Sequence, residues 1–221
     1  MLNNLGVIFD MDGVIMDNNT YHEAAWRDFC EKHGIRLTDE ELHEHVFGRV
    51  AKDTLEFIFK KELKSEAIDR FVEEKEIIYR SIYRHQIRPL DGLIKLLDDL
   101  KINNIPMAMA TSAPPGNVLF TFSYLPIESY FNHLLNASHI SRGKPDPEIY
   151  IKAIQYLALP PENCVVFEDS ISGVRAALGA GAKVIGVSTT HEAGELKGVI
   201  KVIPDFKEMT YMELLTLVHR S

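Results

Sequence analysis

Two aspartates stand one residue apart at the end of the first apolar run of the chain. Residues 5–13 read LGVIFDMDG, so Asp10 and Asp12 follow a stretch typical of a buried strand, and Gly13 comes next. Ligands of parallel sheets bind beyond the carboxyl ends of the strands, where both carboxylates would be presented. There they could hold a divalent cation, and one could attack phosphorus as a nucleophile.

Further polar groups follow or flank the other predicted strands. Thr111 and Ser112 come directly after one apolar strand, and Glu168 and Asp169 come after another. Lys144 precedes a proline-stiffened turn into a helix. Metal-assisted phosphoryl transfer needs such a set, because Mg²⁺ takes oxygen ligands and the phosphoryl oxygens take a hydroxyl donor and an ammonium.

Each motif taken alone also has a simpler interpretation. Asp-x-Asp-Gly can be a turn with solvated acids, Thr-Ser and Glu-Asp can be turns or helix caps, and a single lysine is usually solvated. A calcium loop is excluded, because Val14 and Ile15 stand where a further ligand and the turn glycine are required, and Tyr21 replaces the closing glutamate. The four motifs in this order, each near a strand end, favour one common site.

An α/β fold with a parallel, doubly wound sheet is predicted to position these groups, because strands and helices alternate from residue 89 onward. The predicted strands are 5–10, 106–110, 164–167, 183–187 and 199–203, and the predicted helices are 91–101, 147–158, 171–180 and from 210 onward. Residues 17–88 are instead charged, poor in glycine and proline, and helical in period. We therefore predict a core domain of 1–16 and 89–221 with an inserted helical domain of 17–88.

Composition narrows the class of partner. The 221 residues carry a formal net charge of −8 with no basic run, which argues against nucleic acid and anionic membranes. No apolar segment reaches the roughly 20 residues of a membrane span, and the N-terminal apolar run lacks the basic flank of a signal peptide. Cys30 and Cys164 show no metal-ligand spacing and are expected to be buried, reduced thiols. A cytoplasmic protein is predicted, with a monomer as the default.

The four motifs resemble those of a known enzyme superfamily. The segments FDMDGV, MATSA, GKPDP and VVFEDS are similar to the four motifs of the haloacid dehalogenase superfamily, and the inserted helical unit resembles its cap domain. The segment DNNTYHEAAW resembles the branch of β-phosphoglucomutase and related sugar-phosphate phosphatases. This resemblance covers nearly the whole chain and implies a Rossmann-like core with a helical cap.

The resemblance also implies a chemical role for each motif. Asp10 would be the nucleophile that receives the phosphoryl group as an aspartyl phosphate. Asp12 would be the general acid for the leaving oxygen and then the base that activates the acceptor. Thr111 and Lys144 would hold the transferring phosphoryl oxygens.

The implied cofactor is Mg²⁺. Its ligands would be Asp10, the backbone carbonyl of Asp12, and Asp169, with Glu168 nearby or as an outer ligand. The second aspartate, Asp12, is absent from the haloacid dehalogenases and phosphonatases of the superfamily. Its presence here disfavours both activities.

Whether water or a sugar accepts the phosphoryl group stays open at this point. The mutase recognises the distal phosphate with a Ser-Lys-Asn run after the second motif, whereas residues 113–117 here read APPGN. Arg49 directly follows Gly48, instead of lying three residues beyond the glycine as in the mutase. Asn18 stands where the mutase has a threonine.

Some candidate substrate contacts still match the mutase. His22 and Lys75 fit its pattern, and Arg49 and Ser112 are further candidate contacts to the substrate. We expect a Mg²⁺-dependent phosphatase of a small phosphorylated metabolite such as a sugar phosphate. A β-phosphoglucomutase-like phosphosugar mutase is the alternative, and a non-catalytic binding protein on the same fold is a remote one.

Overall fold

The structure is a computed structural model that describes residues 5–46 and 51–220, except for the side chains of 43, 219 and 220. The chain divides into two compact units: Met1–Asp17 with Ile87–Ser221, called the core unit here, and Asn18–Gln86, called the helical unit. Among the described residues, no helix has both the length and the apolarity needed to cross a membrane.

A six-stranded sheet forms the centre of the described part of the core unit. Its strands are β1 (Gly6–Phe9), β2 (Met107–Ala110), β3 (His133–Leu135), β4 (Cys164–Glu168), β5 (Lys183–Val187) and β6 (Lys201–Ile203). Their order across the sheet is β3-β2-β1-β4-β5-β6, and every pairing is parallel. The chain winds outward from β1 in both directions, which confirms the predicted doubly wound α/β fold.

Nine α-helices lie in the described residues. They are α1 (Asn19–Lys32), α2 (Asp39–His45), α3 (Ala51–Phe59), α4 (Ser65–Tyr83), α5 (Leu93–Ile102), α6 (Pro115–Tyr124), α7 (Glu148–Leu157), α8 (Ile171–Gly179) and α9 (Tyr211–Arg220). The first four belong to the helical unit and the others to the core unit. The four helices predicted in the core unit correspond to α5, α7, α8 and α9. Each predicted helix boundary lies within two residues of the observed one.

The central strands end within one residue of one another. Phe9 of β1 lies opposite Met109 of β2 on one side and opposite Phe167 of β4 on the other. All three strands are fully buried, which explains their continuous apolar sequences. Because parallel strands that end so close together present their next residues at one edge, Asp10 and Glu168 emerge side by side.

Two elements of the core unit, α6 and β3, were not predicted from the sequence. The helix α6 begins with Pro115 and Gly116, which together are typical of a turn. Proline is nevertheless tolerated in the first helical turn, where its missing N–H would have no partner. The strand β3 has only three residues, too few to show a period.

The helical unit is organised by one apolar cluster and one clear helix cap. Phe29, Leu55 and Ile58 belong to its buried core. Thr38 begins α2 through a capping box: its Oγ1 accepts from the backbone N of Glu41 at 3.1 Å, and its own N donates to Glu41 Oε2 at 2.8 Å. Thr38 is therefore the N-cap of α2.

Both cysteines are free and buried, as predicted. Burial raises the pKa of Cys30 to about 11 and that of Cys164 to about 12, so their reactive thiolate forms are scarce near neutral pH. We expect iodoacetamide at about pH 8 to leave both thiols of the native protein unmodified and to modify both after denaturation. Mass spectrometry measures the modification, and rapid labelling of the native chain would contradict the expectation.

Candidate active site

Three carboxylates meet at the carboxyl end of the central strands. Asp10 follows β1, Glu168 ends β4, and Asp169 comes next. All three are buried, and one oxygen from each lies within 4.8 Å of the others. We call these residues the acidic cluster. The register of β1 and β4 brings them together, because Asp10 N also donates to the carbonyl of Phe167 at 3.0 Å.

Lys144 places its ammonium between two members of the acidic cluster. Its Nζ lies 3.0 Å from Asp10 Oδ1 and 2.7 Å from Glu168 Oε2. The lysine side chain is only 6% exposed, so this ion pair is largely removed from water. The lysine that the sequence predicts for the site is therefore in contact with the predicted nucleophile.

Glu168 is held by donors on both of its oxygens. Oε2 accepts from Lys144 Nζ and from the hydroxyl of Tyr150. Oε1 accepts from Ser170 Oγ at 2.7 Å and from Ser170 N at 3.1 Å, while Ser170 also caps α8. A Cβ at Gly173 would lie 2.0 Å from Glu168 Cδ, so the first turn of α8 must carry glycine there.

The electrostatics of the cluster are dominated by burial. Burial first, and the charge of Glu168 second, raise the pKa of Asp10 to about 7, although Lys144 opposes the shift. Burial and Glu168 likewise raise the pKa of Asp169 well above its usual range. Burial also tends to raise the pKa of Glu168. The charge of Lys144 and the hydrogen bonds from Lys144, Tyr150 and Ser170 outweigh burial and hold this pKa below its ordinary value. Three buried carboxylates facing the ammonium of Lys144 thus leave an excess of negative charge.

The donor set of the acidic cluster fits a divalent cation. Asp10 Oδ1 is buried and pairs at 3.0 Å with Lys144, whose ammonium it shares with Glu168. One ammonium cannot balance three buried carboxylates when all are ionised, and a buried charge without a partner is costly. Carboxylate oxygens are hard ligands of the kind that divalent cations prefer. The acidic cluster is therefore a candidate metal site.

The turn after β1 is shaped by a glycine beside the acidic cluster. Gly13 has φ +74°, its N donates to Met16 O at 2.8 Å, and its O accepts from Thr189 Oγ1 at 2.6 Å. Asp12 is half-buried in this turn, and its charge adds to the rise in the pKa of Asp10. The carboxylate of Asp12 lies outside the three-membered acidic cluster found in the described residues.

Replacing Gly13 with alanine is expected to weaken metal binding at least about tenfold and to lower the melting temperature. A Cβ there would lie 2.0 Å from Asp169 Oδ2, and φ +74° is unfavourable for alanine. Titration calorimetry with Mg²⁺ and thermal unfolding measure the two effects. Gly34→Ala is the matched control, because φ is +68° there and nothing lies within 4 Å of the added Cβ. Equal Mg²⁺ affinities in the two variants would contradict the clash with Asp169.

The remaining predicted residues of the core unit differ in burial. Thr111 follows β2, is 1% exposed, and accepts from Ala113 N at 3.0 Å through its Oγ1. Ser112 is exposed. Arg49, a predicted substrate contact, lies outside the described residues.

His22 and Lys75 meet inside the helical unit. Lys75 Nζ lies 2.8 Å from His22 Nδ1 and 3.0 Å from Glu76 Oε1, and Lys75 is 4% exposed. The ring of His22 stacks on Tyr79 with centroids 3.9 Å apart, and the Tyr79 hydroxyl accepts from Asn18 Nδ2 at 2.7 Å. The charge of Lys75 is therefore compensated within this unit.

Sequence reasoning missed three side chains that contact the site: Tyr150, Thr189 and Thr190. Thr189 and Thr190 follow β5, and Thr190 Oγ1 donates to Asp169 Oδ2. Ligands of parallel sheets bind beyond the carboxyl ends of the strands, and β5 is one of the predicted strands. The same reasoning applied to the residues after β5 therefore predicts Thr189 and Thr190. Tyr150 carries no comparable signal, because its hydroxyl reaches Glu168 only through the packing of α7.

Comparison with known proteins agrees with this geometry. The model of the haloacid dehalogenase-like hydrolase family matches residues 7–187. A phosphorylated carbohydrates phosphatase of Thermotoga maritima is 32% identical over 88% of this chain and 89% of its own length.

Two solved structures resemble the whole chain. A family IA, variant 3 hydrolase of Entamoeba histolytica superimposes with a TM-score of 0.92 at 34% identity, covering 97% of this chain and 99% of the other. The β-phosphoglucomutase of Clostridium difficile superimposes with a TM-score of 0.83 at 28% identity, covering 100% and 98%. Because the family model spans most of the chain and these likenesses extend over nearly all of it, the chain belongs to the haloacid dehalogenase-like hydrolase family.

Proposed function

We propose that this chain is a Mg²⁺-dependent phosphatase of a small phosphorylated metabolite, with a sugar phosphate as the first candidate. The observation that carries the proposal is the buried acidic cluster with Lys144 between Asp10 and Glu168. The names of the relatives support the substrate class, since they include a phosphatase of phosphorylated carbohydrates and a phosphoglucomutase.

Asp10 is the proposed nucleophile. One of its carboxylate oxygens attacks phosphorus and forms an aspartyl phosphate, while the bond to the leaving oxygen breaks and that oxygen takes a proton from Asp12. Water then attacks the aspartyl phosphate, giving its proton back to Asp12 and releasing inorganic phosphate. Lys144 and Thr111 are proposed to hold the phosphoryl oxygens during both steps.

The proposed ligands of Mg²⁺ are the carboxylates of Asp10 and Asp169 and the backbone carbonyl of Asp12. Glu168, whose oxygens already accept four donors, is proposed as an outer ligand. When bound, the cation neutralises carboxylate charge and the charge of the phosphoryl group. The excess negative charge of the cluster supports this assignment.

Two observations favour water over a sugar as the acceptor. Residues 113–117 contain no basic side chain for a second phosphate, and Pro115 begins α6 there. Lys75 is buried and paired with Glu76, so its charge is already compensated. The 2.8 Å contact between Lys75 and His22, both of which match the mutase pattern, supports the phosphosugar mutase as the second candidate.

The helical unit is proposed to act as a cap that selects the substrate, with His22, Arg49 and Lys75 as candidate contacts. Ser112 of the core unit is a further candidate contact. The domain limits 17–88 stay a prediction, to be compared with the compact unit Asn18–Gln86. A monomeric state, a cytoplasmic location and the absence of nucleic-acid or membrane partners also stay predictions.

A panel of phosphorylated sugars, nucleotides and small acids tests the proposal, with free phosphate measured in the presence of Mg²⁺. A parallel assay follows glucose 6-phosphate formed from β-glucose 1-phosphate with the bisphosphate primer. Phosphate release without isomerisation supports the phosphatase, and isomerisation with little release supports the mutase. Turnover that persists after chelation of all divalent metal would contradict both.

A further inference from the structure

We propose that the hydroxyl of Tyr150 is a positioning donor that fixes Glu168 and, through it, aims the ammonium of Lys144 at Asp10. Tyr150 is a positioning residue in this scheme, because it is proposed to act through Glu168 and Lys144. The inference deepens the proposed phosphoryl transfer and rests on it for its kinetic test.

Tyr150 contacts both members of the Lys144–Glu168 ion pair. It lies on α7, is fully buried, and donates its hydroxyl hydrogen to Glu168 Oε2. Lys144 Nζ approaches the same Oε2 to 2.7 Å and lies 4.9 Å from the centre of the Tyr150 ring. The phenol ring therefore supports the ammonium from one side while its hydroxyl shares the carboxylate oxygen with it.

The hydroxyl completes the hydrogen bonding of Glu168. An ionised carboxylate offers about four acceptor positions. Here Ser170 supplies two donors to Oε1, and Lys144 and Tyr150 supply the two donors to Oε2. With all positions used, the carboxylate has no competing orientation, and Lys144 keeps its second contact, 3.0 Å from Asp10 Oδ1.

Removing the hydroxyl would free one acceptor position on Oε2. Lys144 could then shift toward Glu168, since an ammonium gains from a second contact with the same carboxylate. That shift would lengthen its approach to Asp10. The expected loss is therefore in the alignment of the lysine and not in the fold.

The surroundings of Tyr150 indicate that a hydroxyl is not needed for packing. Its neighbours on the buried face of α7 include Ile149, Ala153 and Ile154, all apolar. Phenylalanine would fill the same volume without a polar atom to satisfy, and a buried hydroxyl is unfavourable unless it is hydrogen-bonded. The role that the surroundings leave for the hydroxyl of Tyr150 is therefore its hydrogen bond to Glu168.

The test compares Tyr150→Phe with Tyr156→Phe, a control on the same helix at a side chain that is 55% exposed. Three quantities are measured: kcat and KM for phosphate release, the melting temperature, and the ¹H–¹⁵N signal of the Lys144 ammonium. We expect the burial and the ion pairs of Lys144 to slow hydrogen exchange enough for such a signal, which is assigned by its loss in Lys144→Met. We expect Tyr150→Phe to lower kcat about tenfold, the effect of about 1.4 kcal/mol, and to leave KM within about twofold. The Lys144 signal should broaden or disappear, and Tyr156→Phe should change none of these quantities.

Two results would refute the positioning role of Tyr150, and a third case distinguishes its failure from failure of the proposed function. An unchanged kcat together with an unchanged Lys144 signal in Tyr150→Phe refutes the positioning role. The positioning role is also refuted if kcat falls only as much as the fraction of unfolded protein rises, while the folded molecules keep the Lys144 signal. If the wild-type protein releases no phosphate from any substrate, the proposed function fails and the Lys144 signal alone decides: its persistence refutes the role, and its loss supports it.

Discussion

Replacing Asp10 with asparagine is expected to abolish phosphate release and, at the same time, to make the metal-free protein more stable to heat. Loss of the nucleophile should lower kcat on the order of 10⁴-fold or more, as for other residues that carry a covalent step. The gain in stability has a separate cause. Asparagine keeps the shape of the side chain and removes one of three buried negative charges.

The sign of the stability change follows from the pKa of Asp10. The ordinary value is 3.8, and burial and Glu168 raise it to about 7 in the folded protein. An acid whose folded pKa is raised contributes its full stability below the unfolded pKa and loses it as the pH rises through the folded pKa. The metal-free wild type should therefore lose stability between about pH 4 and pH 7, and the asparagine variant should lose less.

Thermal unfolding in the presence of a chelator, at about pH 5 and at about pH 8, measures the difference in stability between the wild type and Asp10→Asn. The melting temperature should shift by roughly 2–4 °C for each kcal/mol of relieved repulsion. Asp205→Asn is the matched control. A backbone hydrogen bond from Lys207 lowers the pKa of Asp205, so this substitution should not stabilise the protein. Added Mg²⁺ should stabilise the wild type more than Asp10→Asn. A metal-free variant less stable than the wild type at the higher pH would contradict the electrostatic argument.

Replacing Lys144 with methionine is expected to lower the stability of the protein and to lower turnover, though by a smaller factor than Asp10→Asn. Methionine keeps most of the apolar stem but leaves the three carboxylates of the acidic cluster without the ammonium between Asp10 and Glu168. Removing one partner of a buried ion pair typically destabilises a protein by about 3–5 kcal/mol. Loss of a group that stabilises developing charge typically lowers kcat by about 10²–10³-fold.

Denaturant unfolding and steady-state kinetics test both effects of Lys144→Met. Lys152→Met is the control, since Lys152 pairs with Glu148 at 2.6 Å but is 39% exposed, and such surface pairs contribute about 0–1 kcal/mol. Added Mg²⁺ should restore part of the stability of Lys144→Met, because a cation again faces the carboxylates. A Lys144→Met protein as stable and as active as Lys152→Met would show that Lys144 does not balance the acidic cluster.

The parts of the site that could be predicted from the sequence are those that depend on chain position at a strand end. Asp10, Glu168 and Asp169 were predictable because apolar runs end directly before them, and parallel strands present such residues at one edge. Lys144 was predictable from its place before a proline turn into a helix. These signals are local, so a single sequence carries them.

Side chains that reach the site by packing could not be predicted in this way. Tyr150 lies within α7 among apolar residues, and its sequence position is equally typical of a core aromatic. The contact between Lys75 and His22 likewise depends on how α1 packs against α4. The sequence could name Lys75 as a candidate cation, but not its burial.

By itself, the sequence determined the α/β class, and it predicted an inserted helical segment and the carboxylates and lysine of the candidate site, because periodicity and strand-end position are properties of the chain. The tertiary structure alone decided the charge balance of the acidic cluster. Asp10 shares the ammonium of Lys144 with Glu168, whereas Glu168 accepts from four donors. The pKa of Asp10 therefore rises while that of Glu168 falls. The physical reason is that desolvation and short contacts depend on which groups surround a carboxylate in space.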